Sequence, residues 1–393
     1  MAPKILITGL NGYLAGRTAE AVLEAGYDVR GSVRRLAAGN EVKDALVKLG
    51  YSQDRIEVVE VPDLTAPGAF DEAVAGCHAI LHLASPVGEI FSTPPPEIVR
   101  RATSSTQGLL DSALAHGGEQ LASVVYMSST AAIFEVEPAP RAHDETDWNT
   151  TAEREVREKG DEAGPFNAYC AAKTAAERLL WSFREEKKPK FAVTAVQARY
   201  VLFSQLLLFL SSPVSCFLVA LSGIVFLFTQ CLRSVYICIY PNQLLLRTPC
   251  HPWPTKEQIP LCISPLWQVV SGVEPQPLPT YQSIIDIRDV ARVLVWSALH
   301  PDVADGERLL CSAGRAGGQA LADIVAKHAA GKKEWEGVQL WKGEPGQGYT
   351  EGYGPYEGEL WLEAGKAVKM TGQDWIPLET TVIDLAEFLR RYL

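Results

Sequence analysis

Clustered positive charge is scarce in this sequence. Its 393 residues hold 36 Lys and Arg against 47 Asp and Glu, which gives a formal net charge of -11. Nucleic acids and anionic membrane surfaces are bound through clusters of Lys and Arg that neutralise phosphate, so we expect neither as a partner. Hydrophobic residues make up 47% of the chain, which is ample for a buried core and excludes disorder as its general state.

Paired cysteines and a targeting segment are also missing. The eight cysteines form no CxxC pair, and no histidine stands at metal-ligand spacing, so we predict reduced thiols and no metal site. The first residues carry no basic stretch followed by a long apolar run, and a secretory signal peptide is therefore not expected. These absences predict a cytoplasmic protein.

Short apolar runs alternate with helix-length segments over the first 200 residues, which is typical of parallel βαβ units. Apolar residues at helical spacing predict helices such as Ala15–Glu24 between the runs. The pattern predicts an α/β fold with a doubly wound parallel sheet. Its predicted strands are Lys4–Thr8, Asp28–Val33, Ile56–Val61, Ala79–Leu83, Ser123–Ser128 and Ala192–Val196.

The last third of the chain predicts a smaller mixed α/β lobe that binds the substrate. It contains a helix at Ile287–Ala298, a strand at Arg308–Cys311 and a closing helix at Leu378–Tyr392. We expect the helix to complete the first domain. The predicted division is a cofactor domain at 1–201 with about 280–300, and a substrate lobe at 251–279 with 301–393.

The stretch Leu202–Cys250 fits neither part, because it contains no Asp, Glu or Lys. Within it, Leu206–Phe228 is an uncharged run long enough to span a membrane, but a single crossing would separate the later helix from its sheet. It is an apolar hairpin on a membrane face, a buried insertion, or an anomalous insertion foreign to the working protein. Its Leu, Phe, Ser, Cys, Val and Ile have pyrimidine-rich codons, which favours a translated intron that would cause aggregation or membrane adhesion.

A glycine-rich loop, TGLNGYLA at Thr8–Ala15, joins the first predicted strand to the first helix. Gly9 permits a tight turn, Gly12 lets a pyrophosphate approach the backbone, and Ala15 allows close packing of helix on strand. The helix N-terminus then faces the phosphates. The place of the loop between strand and helix predicts a Rossmann-type dinucleotide site. Its predicted ligands in the loop are Gly9, Asn11, Gly12, Tyr13 and Leu14.

Arg34 stands at the end of the second predicted strand, where an enzyme that uses NAD would carry a carboxylate for the ribose. A guanidinium makes charge-assisted hydrogen bonds with a 2′-phosphate, so Arg34 predicts NADP(H) as the cofactor. Loops after the third and fourth strands reach the same sheet edge. Asp63, Leu64 and Ala84 are therefore further predicted cofactor ligands, although each also fits an ordinary turn.

Tyr169 and Lys173 lie four residues apart, and hence on one face of a helix. Hydride addition to a carbonyl leaves an alkoxide that needs a proton, and a phenol supplies it at neutral pH when a nearby cation lowers its pKa. Lys173 can provide that cation. Ser129, or Thr130 beside it, follows the fifth strand and can donate a hydrogen bond to the substrate oxygen. These residues predict reduction of a small-molecule carbonyl.

Taken together, the motifs resemble the extended short-chain dehydrogenase/reductase family, in particular its dihydroflavonol 4-reductase-like branch of NADPH-dependent aldehyde and methylglyoxal reductases. The resemblance covers about 1–201 and 251–393. It implies that Tyr169 is the proton donor, that Lys173 modulates its pKa and binds the ribose, and that Ser129 orients the carbonyl. It also suggests Tyr200 beside the substrate, and we expect a monomer or homodimer. The matching segments are Thr8–Ala15, Gly31–Arg34, His82–Pro86, Ser128–Ser129, Asn167–Lys173 and Ile285–Ala291, the last expected to return to the main sheet.

The chain departs from the branch after the sixth predicted strand. Gln197 and Ala198 replace an Asn-Pro pair, and Val201–Ser204 replaces a Val-x-Gly-Pro segment, which puts contacts to the nicotinamide amide and the substrate in doubt. Two alternatives stay open. One is a sugar-nucleotide epimerase or dehydratase of the same fold, which Arg34 disfavours; the other is a non-catalytic NADP(H)-sensing protein, which would need no Tyr/Lys pair.

Overall fold

A parallel sheet forms the centre of the protein. The computed structural model describes residues 2–85, 92–135, 141–198, 264–275, 283–348 and 361–393. The strands in these ranges are β1 (Lys4–Thr8), β2 (Asp28–Val33), β3 (Ile56–Glu60), β4 (Ala79–His82), β5 (Ser123–Met127), β6 (Ala142–His143), β7 (Ala192–Ala198), β8 (Ser283–Ile284), β9 (Arg308–Cys311), β10 (Gly314–Arg315) and β11 (Trp361–Leu362). Among the described residues, seven of them form one parallel sheet in the order β3-β2-β1-β4-β5-β7-β9.

Helices cover both faces of this sheet. They are α1 (Tyr13–Glu24), α2 (Leu36–Lys48), α3 (Asp71–Val74), α4 (Pro95–His116), α5 (Thr151–Lys159), α6 (Gly164–Lys187), α7 (Ser264–Val270), α8 (Ile287–Leu299), α9 (Pro301–Ala304), α10 (Gly318–Ala329), α11 (Gly365–Thr371) and α12 (Leu378–Leu389). Short 3₁₀ turns lie at Gln53–Arg55, Thr130–Ala132, Gly160–Ala163, Lys333–Trp335 and Arg390–Tyr392.

Alternation along β1 shows why both faces are covered. Leu6 belongs to an apolar cluster with residues of α4 and α6. Its neighbours Ile5 and Ile7 belong to a second cluster, with residues of α1 and α8. All three are fully buried. Because successive side chains of a strand point to opposite faces, a strand that is apolar at every position requires helices on both sides.

A third apolar cluster holds the C-terminal part of the chain together. It joins α7, α10 and α12 through buried residues such as Leu266, Leu321 and Leu385. The short strands β8 and β10 pair antiparallel beside it, and β6 pairs with β11. The predicted division into a cofactor domain and a substrate lobe stays a prediction.

The predicted α/β fold with a doubly wound, Rossmann-type parallel sheet is confirmed, and the six strands predicted for that sheet are present with ends within two residues. Ile285–Ala291 returns to the main sheet, as the resemblance implies. Ser283 and Ile284 pair with β10, and Ile287 begins the helix α8, which packs on the sheet face. The edge strand of the main sheet, next to β7, is β9. The sequence predicts this strand as part of the substrate lobe.

Several predictions fall outside the described residues. They concern Pro86, Tyr200, Val201–Ser204 and the whole of Leu202–Cys250. Across the described part of the chain, none of the helices has the length and apolar character needed to span a membrane.

Gly31 in β2 leaves room for Leu10, a fully buried residue of the glycine-rich loop. A Cβ atom at Gly31 would lie 2.2 Å from Leu10 Cδ2 and 2.7 Å from Leu10 Cβ. The amide of Leu10 also donates to the carbonyl of Ser32 at 3.0 Å. The absence of a side chain at Gly31 therefore fixes how the loop lies over the sheet.

We expect Gly31→Ala to lower the free energy of unfolding by about 1–3 kcal/mol, because it overpacks the space that Leu10 fills. Leu10→Ala should cost less in the Gly31→Ala background than in the parent, because the truncation removes Leu10 Cδ2, the atom that the new Cβ would approach most closely, and leaves only the contact with Leu10 Cβ. Urea denaturation of the parent, both single variants and the double variant measures this coupling.

Gly108→Ala is the matched control, since a Cβ there has no neighbour within 4 Å and the residue lies inside α4. It should leave stability unchanged or raise it, as Ala favours helix. Additive losses in the Gly31 and Leu10 double variant would contradict the packing argument.

Candidate active site

The glycine-rich loop forms a cradle at the end of β1. Gly9 has φ +71°, a conformation that favours glycine, and a Cβ there would lie in tight contact with Ala84 Cα, at 3.2 Å. The amide of Gly12 donates to the Gly9 carbonyl at 2.8 Å, which closes the turn. Helix α1 then begins at Tyr13 with no side-chain cap from Gly12 and no acidic residue in its first turn. Such an N-terminus suits an anion, since the first amides of a helix point outward.

Thr8 ties this loop to the end of β4. Its Oγ1 accepts hydrogen bonds from the amides of Leu83 at 3.0 Å and Ala84 at 2.9 Å, and lies 2.9 Å from His82 Nδ1. A hydroxyl has one proton, so Thr8 donates it to His82 Nδ1 and the neutral imidazole carries its own proton on Nε2. Burial, together with the nearby charge of Lys173, lowers the pKa of His82 to about 3. His82 is therefore a neutral acceptor that fixes Thr8.

The other predicted cofactor ligands lie at the same edge of the sheet. Arg34 directly follows β2 and is exposed. Asp63, exposed after the neighbouring β3, accepts hydrogen bonds at its Oδ1 from the Thr65 amide and hydroxyl, which lower its pKa. Leu64 is half-buried against the apolar cluster. Glu60, which the sequence analysis missed, accepts a hydrogen bond from the Leu36 amide at the start of α2.

Tyr169 and Lys173 lie on α6, and both are buried, with 1% and 5% of their surfaces exposed. Lys173 Nζ donates to the Met127 carbonyl at the end of β5, at 3.2 Å, and lies 5.8 Å from the centre of the Tyr126 ring. Burial lowers the pKa of Lys173 to about 8, against the opposing influence of Glu177. The ammonium form therefore still predominates at pH 7.

Ser129 and Thr130 follow β5 and are buried. Ser129 Oγ accepts a hydrogen bond from the Ala131 amide at 3.1 Å, so its own proton stays available for donation to another group. Met127, which anchors Lys173, lies two residues before Ser129. Ala131 belongs to the same apolar cluster as Tyr169. The strand end and α6 thus bring the three predicted catalytic residues to one region.

A buried carboxylate behind these residues was missed by the sequence analysis. Glu177 follows Lys173 by one helical turn and accepts a hydrogen bond from Gln197 Nε2 at 2.9 Å. Gln197, which replaces the Asn of the resembled branch, therefore directs its amide to α6. The four-residue spacing of Lys173 and Glu177 is the signal that would have revealed this carboxylate.

Among the described residues, no group of His, Cys, Asp and Glu side chains is arranged to hold a metal ion.

The sequence and the fold of this chain are similar to those of known reductases and epimerases. Residues 5–200 match the model of the NAD dependent epimerase/dehydratase family. The chain is 27% identical over 317 residues to an uncharacterized oxidoreductase of Schizosaccharomyces pombe, a match that covers 79% of this chain and 77% of the relative. It is 32% identical over 207 residues to aldehyde reductase 2 of Sporidiobolus salmonicolor, covering 50% of this chain and 57% of that protein's length.

A solved structure with the same fold is that of yeast methylglyoxal/isovaleraldehyde reductase Gre2 complexed with NADPH. The TM-score is 0.74 at 21% sequence identity, and the alignment covers 99% of this chain and 98% of that one. At this identity the likeness establishes the fold.

We expect His82→Gln to change how stability depends on pH. An unfolded histidine takes up a proton below about pH 6.5, whereas folded His82 stays neutral down to about pH 3. The parent should therefore lose about 1.5 kcal/mol from this group between pH 6.5 and pH 5, as the unfolded chain binds a proton that the folded protein excludes. Urea denaturation at both pH values should show this loss in the parent and its absence in His82→Gln.

His116→Gln is the matched control, because His116 is an exposed histidine of α4. It should retain the parent's difference between the two pH values. Equal losses in the parent and His82→Gln would show that His82 is protonated in the folded protein.

Proposed function

Because the chain belongs to the NAD dependent epimerase/dehydratase family, we propose that it is an NADPH-dependent oxidoreductase that reduces an aldehyde or ketone to an alcohol. One observation carries the proposal above all. The buried Lys173 ammonium sits one turn from Tyr169 and is anchored to the strand end that presents Ser129. A buried cation beside a phenol is what proton donation at neutral pH requires.

The cradle fits a dinucleotide. Gly9 has a backbone conformation that favours glycine and little space for a Cβ, and the N-terminus of α1 has neither a side-chain cap nor an acidic residue in its first turn. The pyrophosphate would lie against this loop, and Arg34 would bind a 2′-phosphate. The residues that would hold the cofactor are Gly9, Asn11, Gly12, Tyr13, Leu14, Arg34, Asp63, Leu64, Ala84 and Lys173.

When bound, NADPH supplies the hydride. Ser129 donates its free proton to the substrate oxygen and orients the carbonyl, while Tyr169 gives its phenolic proton to the alkoxide that forms. The Lys173 ammonium stabilises the resulting tyrosinate, and Thr130 lies beside the same substrate group. The relative named an aldehyde reductase supports a carbonyl substrate. We expect the protein to work in the cytoplasm, as a monomer or homodimer.

The test is oxidation of NADPH in the presence of a panel of aldehydes, ketones and flavanonols. Carbonyl-dependent loss of NADPH absorbance, with one alcohol formed per NADPH consumed, is the expected result. Isomerisation or dehydration of a sugar nucleotide without net NADPH consumption would replace the proposal with the epimerase or dehydratase alternative. Binding of NADPH with no turnover of any substrate would favour the sensor.

We expect Tyr169→Phe to lower kcat by about 10²- to 10⁴-fold and to leave the Kd for NADPH close to the parent value, because only the proton donor is lost. Fluorescence titration measures the Kd, and steady-state kinetics measure kcat. Tyr27→Phe, directly before β2 and at the opposite end of the sheet, should retain parent turnover. Near-parent turnover of Tyr169→Phe would assign the proton donor to another group.

We expect the parent to bind NADPH more tightly than NADH, and Arg34→Ala to narrow this preference by about 1.5–3 kcal/mol, the range of a hydrogen bond to a charged group. Arg35→Ala is the matched control, since Arg35 is the adjacent exposed arginine. Arg35→Ala should reduce the preference for NADPH over NADH by less than Arg34→Ala does. Equal affinities of the parent for the two cofactors would remove the role of Arg34.

A further inference from the structure

Glu177 is a buried carboxylate that the chemistry above does not use. It has no exposed surface, and four side chains donate hydrogen bonds to it: one from the residue after β5, one each from β7 and β9, and one from its own helix. Those donors are Ser128 Oγ, Gln197 Nε2 at 2.9 Å, Arg308 Nε at 2.7 Å and Trp181 Nε1 at 3.4 Å. A carboxylate that deep is retained as an anion only when positive charge and hydrogen bonds balance it.

The contacts of Glu177 lie directly behind the candidate catalytic residues. Ser128, which donates to it, stands between Met127, whose carbonyl anchors Lys173, and Ser129. Lys173 itself is one helical turn before Glu177 on α6. One carboxylate therefore holds the end of β5 against the helix that carries the ammonium.

Charge around Lys173 comes from few groups. On its own helix the neighbours are Glu177 and Tyr169. From β4 it faces neutral His82, and from β5 the ring of Tyr126 and a carbonyl. Glu177 supplies negative charge beside the ammonium. This charge raises the pKa of Lys173 and so opposes the effect of burial, which lowers it.

Arg308 sets how much of that negative charge Lys173 experiences. Besides its ion pair with Glu177, the guanidinium donates to the carbonyls of Glu145 and Asp147 and stacks 3.8 Å from the centre of the Trp148 ring. These contacts hold Arg308 in one place on β9. Glu177 thus lies between two cations, Lys173 and Arg308, and its charge is divided between them.

We propose that Glu177 is a positioning residue for the reaction: it supplies the negative charge that balances the buried Lys173 ammonium and fixes, through Ser128, the strand end that presents Ser129. This inference rests on the proposed function for its kinetic consequence. Its charge balance is a property of the protein alone and is measurable without turnover.

Two substitutions that break the same ion pair should act in opposite directions. Glu177→Gln removes the anion and leaves Arg308, so the pKa of Lys173 should fall and the alkaline limb of kcat should move to lower pH. A downward shift of about one pH unit would reduce kcat about fivefold at pH 8 and about twofold at pH 7. Arg308→Gln leaves Lys173 as the cation beside the Glu177 carboxylate. The pKa of Lys173 should therefore rise, and the alkaline limb of kcat should move to higher pH. A purely structural role would make both variants lose activity alike.

The double variant Glu177→Gln/Arg308→Gln keeps the test decisive if Arg308→Gln fails to fold, because it leaves no uncompensated charge. The alkaline limb of kcat in this double variant should lie at higher pH than the limb in Glu177→Gln. The direct measurement uses protein labelled with ¹³C at lysine Cε, with the Lys173 resonance assigned by its loss in Lys173→Arg. The pKa that this resonance reports should rank the variants in the same order as the pH of their alkaline limbs of kcat.

The two proposals fail separately. An unchanged Lys173 titration and an unchanged kinetic limb in Glu177→Gln would overturn the role of Glu177, while carbonyl reduction by the parent would stand. Shifted titrations in a parent that reduces no carbonyl would overturn the proposed function and leave the charge balance in place.

Discussion

A buried cation has to be kept charged, and much of the site is organised around that requirement. Lys173 is almost fully enclosed, and burial alone disfavours its ammonium form. The opposing groups are the Met127 carbonyl and the Glu177 carboxylate. Glu177 in turn needs Arg308, and Arg308 needs backbone carbonyls to satisfy its guanidinium. A chain of dependent interactions thus leads from the edge strand β9 to the helix α6.

The same logic explains why His82 is neutral. Burial lowers the pKa of its imidazole, and the charge of Lys173 acts in the same direction, so the imidazole stays unprotonated and accepts the Thr8 proton. That leaves the Thr8 oxygen free to accept from two amides of the following loop. The glycine-rich loop and the proposed proton-transfer residues are therefore linked electrostatically, although they lie on different elements.

Much of the fold was predictable because its signals are local. Apolar runs of four to seven residues separated by helix-length segments gave the strands, and a glycine loop at Gly9–Gly12 between strand and helix marked the nucleotide site. The pair Tyr169 and Lys173 was visible as well, since a four-residue spacing places both on one helical face.

What escaped prediction depends on contacts between distant residues. Glu177 and Arg308 are 131 positions apart, and no local pattern joins them. The tautomer of His82 follows only from the three partners of one hydroxyl.

The distance between Glu177 and Arg308 along the chain also constrains the order of synthesis and folding. At about 5–20 residues per second, the ribosome needs roughly 7–26 seconds to extend the chain from one to the other. During that interval β9 is absent, so the edge of β7 is unpaired and the carboxylate lacks its arginine. The apolar stretch Leu202–Cys250 emerges in the same interval. The nascent protein therefore presents an open sheet edge and an unbalanced interior charge while this apolar segment leaves the ribosome, and this is the stage at which a chaperone would matter most.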